Sequence, residues 1–349
     1  MSRFVVSQIN ADMWDTYLSN HEYCSHEQTS YFAEQYQQYG FSSVRVGITD
    51  DGSLVGGVQI LYRSIPLIGK IGLITQGPII DSDDPDVMAQ LCRAIEQIAK
   101  KQGLIHIKIV PPALNNRWEG VFEDLNYSKF DMNGYDRRTI CVPCSNSNED
   151  LLKNMKSKCR YNVNLARRKG VEVRMAGFDD LPVFYDLLKL TAQRQEFPIF
   201  PLEYFQQIWK LLEPKKKINL LIAYVDDIPL AGVIITVIGD GVAHYGWGGM
   251  TNTHRKLMAN HLLHWEAIQW ARSIGCQYYD FGGGMEDGGV GRFKQSWNGE
   301  ILDYPRSYEV GLGKYLSPGK GLIRTIRKNS RVQSIVERIE HRLLGNIPH

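Results

Sequence analysis

Between residues 151 and 169 the chain reads LLKNMKSKCRYNVNLARRK, seven lysines and arginines with no acid among them. Exposed helices usually intersperse opposite charges three or four residues apart, so an uninterrupted positive run points to a polyanion, phosphates above all. Lys153, Lys156, Arg160 and Arg167 recur at a 3-4-7 spacing that puts them on one helical face, and they are the candidate phosphate contacts. The competing reading is a solvated surface face. His254, His261 and His264 lie close together, with His261 and His264 at i,i+3. No carboxylate stands at a fitting spacing, so no metal site is expected. Cys141 and Cys144 make a lone C-x-x-C with no second pair to complete a zinc site, and the six cysteines read as reduced, structural thiols.

The elements that must hold these residues can be read from periodicity. Leu152, Met155, Cys159, Val163 and Ala166 form an apolar stripe beside the cationic one. Together with a capping-box start at Ser147 and Asp150 and a stop at Gly170, they predict one helix over residues 151–169. Before it the pattern gives helices at 11–18 and 31–39, strands at 44–49 and 54–62 around an Asp50-Asp51-Gly52 turn, a strand region at 71–80, a helix at 86–101 and a strand at 104–110. After it come a strand at 171–175, helices at 181–194 and 202–212, strands at 220–224, 230–238 and 242–248, a helix at 258–273 and a strand at 277–281. Alternating strands and helices argue an α/β fold.

The order of elements repeats. VGITDDGSLVGGV from Val46 answers IAYVDDIPLAGVI from Ile222, and AKKQGLIHIKI from Ala99 answers ARSIGCQYYDF from Ala271. This reads as an internal duplication, two copies of one α/β domain. The chain of 349 residues is long enough for two cores. The boundaries expected are 1–146 for the first copy, 147–312 for the second, and 313–349 for a basic amphipathic tail with eight Lys/Arg against two Glu. That tail docks on the body, helps to hold RNA, or rests peripherally on an anionic membrane. A net charge of +2 confines the basic character to these stretches and excludes bulk nucleic-acid packaging. The start lacks the apolar core of a signal peptide and no run is long enough to span a membrane, so the expected location is cytoplasmic.

Five stretches in this order carry a resemblance: QGPIID from Gln76, MKSKCRYNVNLARRKGVEV from Met155, TAQRQEF from Thr191, FGGG from Phe281 and GRFKQSWNGE from Gly291. Together they resemble the FemABX family of aminoacyl-tRNA-dependent peptide aminoacyltransferases, over about residues 25–310. The resemblance implies two tandem GNAT-like domains and transfer of an amino acid from a charged tRNA, as co-substrate, to an amine of a peptidoglycan precursor or other peptide. It implies no further cofactor. The long helical arm of some members has no counterpart in heptads here, so the tRNA contact falls to the basic helix. The family's Asp before Pro is replaced by Val110, so no role for that carboxylate carries over.

The resemblance also places residues. Lys294, in GRFKQSW after a glycine-rich segment read as a mobile loop, sits where the family has its functional Phe-Lys, and is assigned to stabilise charge on the ester carbonyl; a surface lysine is the alternative. Arg194 falls where the family sets an arginine on a substrate phosphate, against a local salt bridge to Glu196 or another acid. Asp280 orients Lys294, takes a proton, or is a buried structural acid. Phe293 and Trp297 are substrate contacts or, more simply, core and pocket wall.

A GNAT acetyltransferase binds the pyrophosphate of acyl-CoA on a glycine-rich turn at a helix N-terminus. The matching stretches here are TNTHRKLMANHLLHW and DSDDPDVMAQL; neither has the glycines, and the second carries Asp81, Asp83, Asp84 and Asp86 at its approach. The leading function is therefore a tRNA-dependent aminoacyltransferase. An N-acyltransferase using acyl-CoA or another donor in polysaccharide or natural-product assembly is the second, and a non-catalytic RNA-binding module the third.

Overall fold

Branched apolar residues at alternate positions build the strands of both halves, and a long amphipathic helix links two of them in each. The computed structural model describes residues 4–21, 25–65, 69–113, 115–130, 138–145, 147–238, 241–283 and 288–312. The basic tail at 313–349 and Gly284 of the FGGG stretch lie outside the described residues. The chain divides into two units: one holds the described residues up to 130 and those from Pro305 onward, the other those from 138 to Tyr304.

In the first unit β1 (Phe4–Gln8), α1 (Ala11–Asn20) and α2 (Ser30–Gln37) precede the hairpin of β2 (Ser42–Asp50) and β3 (Ser53–Ile65). There follow β4 (Gly69–Thr75), the short β5 (Ile79–Ile80), the crossover helix α3 (Pro85–Lys101), β6 (Leu104–Val110), α4 (Trp118–Asp124) and β7 (Ser128–Phe130). Val46, Ile48, Val58, Ile60 and Ile107 are fully buried and pack against Leu91, Cys92 and Ile95 of α3. The acids ahead of α3 are used locally. Asp84 accepts from Asp86 N at 2.9 Å as the N-cap, Asp83 pairs with Arg117 at 2.8 Å, and Asp81 lies 3.1 Å from His21 Nε2.

The second unit contains β8 (Arg138–Pro143), α5 (Asn148–Asn154), α6 (Ser157–Arg168), β9 (Glu172–Ala176), α7 (Leu181–Gln195) and α8 (Leu202–Leu212). It continues with β10 (Ile218–Val225), β11 (Ile228–Ile238), β12 (Val242–Met250), α9 (Ala259–Ser273), β13 (Tyr278–Asp280), α10 (Gly289–Gln295) and β14 (Glu300–Asp303). Val233, Ile235, Ala243 and Tyr279 pack with α6 and α9 on one face. Gly232, one residue out of phase, faces Phe184 of α7 on the other.

The duplication is visible in the hydrogen bonding. The first sheet runs β1-β2-β3-β4-β6-β15-β7, where β15 is Ser307–Gly311; the second, from its β9 edge, runs β9-β10-β11-β12-β13-β8-β14. Position by position the pairing sense is the same, with one parallel step in each, β4 with β6 and β12 with β13. The sixth strand of each sheet falls on the other side of the boundary expected from sequence: β8 lies before 147 yet joins the second sheet, and β15 lies before 313 yet joins the first. The structural boundaries consequently fall near 134 and 305, where the sequence reading placed 146 and 312. A short strand such as β8 has no sequence mark saying which sheet it joins.

Two further expectations change. The single helix over 151–169 is two helices, α5 and α6, broken where Met155 and Lys156 take extended ψ angles of 147° and 142°. Lys156 N bonds to Ser296 O at 3.0 Å, and Arg160 Nη1 reaches back to the carbonyls of Leu152 at 2.8 Å and Lys153 at 3.3 Å. A side chain thus satisfies end carbonyls that a continuous helix would have used internally. Gly170, at φ +76°, closes α6 as expected. The glycine-rich stretch read as a mobile loop contains the start of a helix, since α10 begins at Gly289. The longest helix among the described residues is α3, of 17 residues, and no described helix is long and apolar enough to cross a membrane.

Candidate active site

The parallel step of the second sheet is short. β12 and β13 pair at Val242–Tyr278, Ala243–Tyr279 and His244–Asp280, then part; in the first sheet the matching strands stay paired for six residues, from Lys70–Leu104 to Thr75–Val110. Beyond His244, β12 stays with β11, but Gly246 is an extra residue between Tyr245, opposite Ile235, and Trp247, opposite Ile234. Such a bulge bends its strand away from a neighbour. On the other side the chain turns at Gly282, φ +71°. A fork opens at the carboxyl ends of two parallel strands, the usual place for a ligand in an open α/β sheet.

Lys294, on α10, points into this fork. The residue is only 7% exposed, and its Nζ donates to Gly282 O at 3.4 Å and to Gly283 O, 5.9 Å from the centre of the Tyr245 ring. A buried ammonium lodged among carbonyls and a ring face is suited to meeting negative charge that develops on a substrate oxygen. The surface-lysine alternative does not describe it.

Asp280 is buried beneath the fork. Its carboxylate accepts from Gly282 N at 2.8 Å, Tyr304 OH at 2.8 Å, the Thr139 hydroxyl, and His244 Nδ1 at 3.2 Å. Burial alone would raise its pKa, but the hydrogen bond and charge of His244, with the Thr139 and Gly282 donors, outweigh it and hold the carboxyl below the usual carboxylate range. Asp280 therefore stays an anion. A carboxylate can only accept, so the proton of a neutral His244 sits on Nδ1 and its lone pair on Nε2. The His244 side chain is 26% exposed while Asp280 is 1% exposed, so the dyad presents its imidazole outward.

The wall of the fork is aromatic. His264 is buried, with Nδ1 2.9 Å from Tyr279 OH and its ring 4.7 Å from Tyr245 edge to face. Burial, the neighbouring His261 and then Lys294 press its pKa down to about 3, and burial followed by Lys158 presses His261 to about 4. His261 is tied to Asn162 at 3.2 Å and lies edge-on to Phe293. Trp297 is buried in the core against Phe281, at 5.5 Å between ring centres, as the simpler reading held; Phe293 is partly buried.

Arg194, near the end of α7, reaches the end of β12. It donates to Met250 O and Asn252 Oδ1, each at 3.3 Å, and to Thr191 Oγ1 at 3.4 Å. The salt bridge to Glu196 is not formed. Burial and then the Arg255 charge lower the Arg194 pKa, so two cations stand together beside the loop that opens α9. In that loop His254 and Met258 adopt left-handed φ of 60° and 56°, with no glycine present.

Two of the four candidate phosphate contacts have partners within the protein, contrary to the expectation of a free row. Arg160 caps α5, and Arg167 pairs with Glu266 at 3.1 Å over the Trp265 ring. Lys153 and Lys156 are exposed, but the break at 155–156 removes Lys153 from the stripe's register. His244, Tyr304 and Thr139 were missed by sequence reasoning. The one available signal was an imidazole three residues into the strand expected at 242–248.

Residues 9–132 match the model of the FemAB family, and residues 153–295 match that of the acetyltransferase (GNAT) domain. Between them the two matches cover most of the chain, which is similar to the FemABX family. The chain is 23% identical over 365 residues to the Lipid II:glycine glycyltransferase of Staphylococcus haemolyticus (strain JCSC1435), covering 81% of the chain and 87% of that relative. The crystal structure of FemX superposes with a TM-score of 0.73 at 19% identity, over 89% of this chain and 98% of that one. A tandem GNAT protein from the clavulanic acid biosynthesis pathway superposes at 0.50 and 11% identity, covering 91% and 100%. The chain is thus an acyltransferase built on two GNAT-like domains.

Proposed function

We propose that the protein moves an amino acid from its ester on tRNA to an amine of a peptidoglycan precursor. The observation that carries this reading is Lys294, a buried ammonium at the open end of β12 and β13, in a unit whose loop before α9 has no glycine turn for a pyrophosphate. An activated acyl group without CoA fits that site, and an aminoacyl ester is such a group. The relatives named Lipid II:glycine glycyltransferase support a peptidoglycan precursor as acceptor. The reaction needs an amine held against the ester carbonyl and stabilisation of the oxyanion, and no covalent enzyme intermediate.

The roles follow from position. Lys294 faces the carbonyl oxygen, Phe293 lines the wall beside it, and Arg194 with Arg255 offers cations to a phosphate of either substrate. Lys153 and Lys156 are the exposed candidates for contact with the tRNA backbone. The purified full chain, given tRNA charged with labelled amino acids and lipid II or its nucleotide-linked precursor, is expected to release label from tRNA into a peptide product. Transfer from acetyl-CoA with none from charged tRNA would replace this reading by the acyl-CoA one.

A further inference from the structure

We infer that His244 is the proton acceptor of the transfer reaction, a catalytic residue in its own right, and that Asp280 is the positioning residue that makes it one. The inference deepens the proposed function and rests on it for the identity of the ester.

The geometry has three parts. His244 and Asp280 are the last facing pair before the strands separate, so the imidazole stands at the mouth of the fork and not within the sheet. Asp280 holds Nδ1 at 3.2 Å and is itself fixed by Tyr304, Thr139 and Gly282 N, which leaves Nε2 as the basic atom. Finally, His244 and Lys294 border one point. A methyl group built on Gly282 would lie 3.4 Å from His244 Cε1, 3.9 Å from Nε2 and 4.0 Å from Lys294 Nζ. A proton acceptor and an ammonium therefore flank a space that Gly282 leaves clear, the relation needed around a tetrahedral carbon. Among the other imidazoles of this unit that lie near the fork, His261 and His264 are turned to Asn162 and Tyr279, and burial makes both poor bases.

The step balances without a further reactant. The acceptor amine forms the C–N bond to the ester carbonyl, the carbonyl electron pair moves onto oxygen beside Lys294, and the amine's N–H proton passes to His244 Nε2. On collapse the carbonyl re-forms, the C–O bond to ribose breaks, and the imidazolium returns the proton to the departing ribose oxygen. Asp280 stays an anion throughout and stabilises the imidazolium between the two transfers.

His244→Asn tests this, because its side-chain amide can still donate to Asp280 while it offers no base. Single-turnover transfer with both substrates saturating is expected to fall about a hundredfold, with donor and acceptor affinities within about twofold of wild type. His244→Ala is expected to regain rate when imidazole is added, in a saturable way that a purely structural role would not show. A His244→Asn rate near that of wild type, or a slowed His244→Ala that imidazole does not speed, overturns the inference. Wild type is assayed in parallel with charged tRNA and with acetyl-CoA, and the variants are measured with whichever donor it uses. A switch of donor then counts against the tRNA reading while His244 is still tested, and a wild type that uses neither overturns both.

Discussion

Asp280 and Lys294 are joined through a single residue, Gly282, whose N–H is held by the Asp280 carboxylate at 2.8 Å and whose carbonyl accepts from the Lys294 ammonium at 3.4 Å. The acid thus fixes the cation through the backbone. Fourteen residues of sequence separate the two, and the turn at Gly282 closes that distance.

Lys294→Met should reduce single-turnover transfer about a hundredfold, the typical effect of losing one donor to a developing oxyanion, while binding of both substrates is retained. The side chain is buried and Met keeps most of its stem, so the melting temperature should hold or rise. A near-normal rate with weakened tRNA affinity would make Lys294 a phosphate contact.

The cationic residues should separate into two classes. Replacing Lys153 and Lys156 with Gln is expected to weaken tRNA binding for all sequences and reduce its salt slope, with stability unchanged. Arg160→Gln removes the donor to the end of α5 and should cost roughly 1 to 2 kcal/mol in urea unfolding. Equal effects of all four cations on the salt slope would restore the continuous cationic row.

The neutral imidazole of His264 links stability to pH. Its pKa falls from an ordinary 6.5 to about 3 on folding, so its contribution is fully present above pH 6.5 and is lost progressively as pH falls toward 3, where the unfolded chain binds the proton and the native one does not. At pH 5 this amounts to roughly 2 kcal/mol. Urea midpoints of His264→Gln should therefore change less between pH 7 and pH 5 than those of wild type, and parallel pH profiles would remove His264 as a cause.

Acetyl-CoA should give no saturable calorimetric isotherm and no turnover. The loop at 251–258 has left-handed His254 and Met258 but no glycine, so it lacks the bare backbone turn that a pyrophosphate needs for close approach. Saturable binding weakened by changes in that loop would return the protein to the CoA-dependent acetyltransferases.

Much of the fold was legible because periodicity is local. The burial of Met155, Cys159, Val163 and Ala166, the left-handed Gly170, and the matched hairpins at Val46 and Ile222 all follow from spacings within a few residues. The duplicated order of strands was legible too, since two similar sequences in one chain meet the same packing rules. The break between α5 and α6 was not, because it depends on Ser296, more than a hundred residues away, receiving the Lys156 N–H.

The candidate site divides along the same line. Sequence by itself determined the α/β duplication and the residue types at the fork of the second sheet, Asp280, Phe293 and Lys294 among them, since each is marked by its own short stretch. Tertiary structure alone decided that β8 and β15 join the sheets they do, that Arg160 and Arg167 find partners within the protein, and that His244 faces Asp280. Strand register is the physical reason for the last: one residue's slip of β13 against β12 would send Asp280 to the opposite face of the sheet, and nothing local to either strand encodes that register.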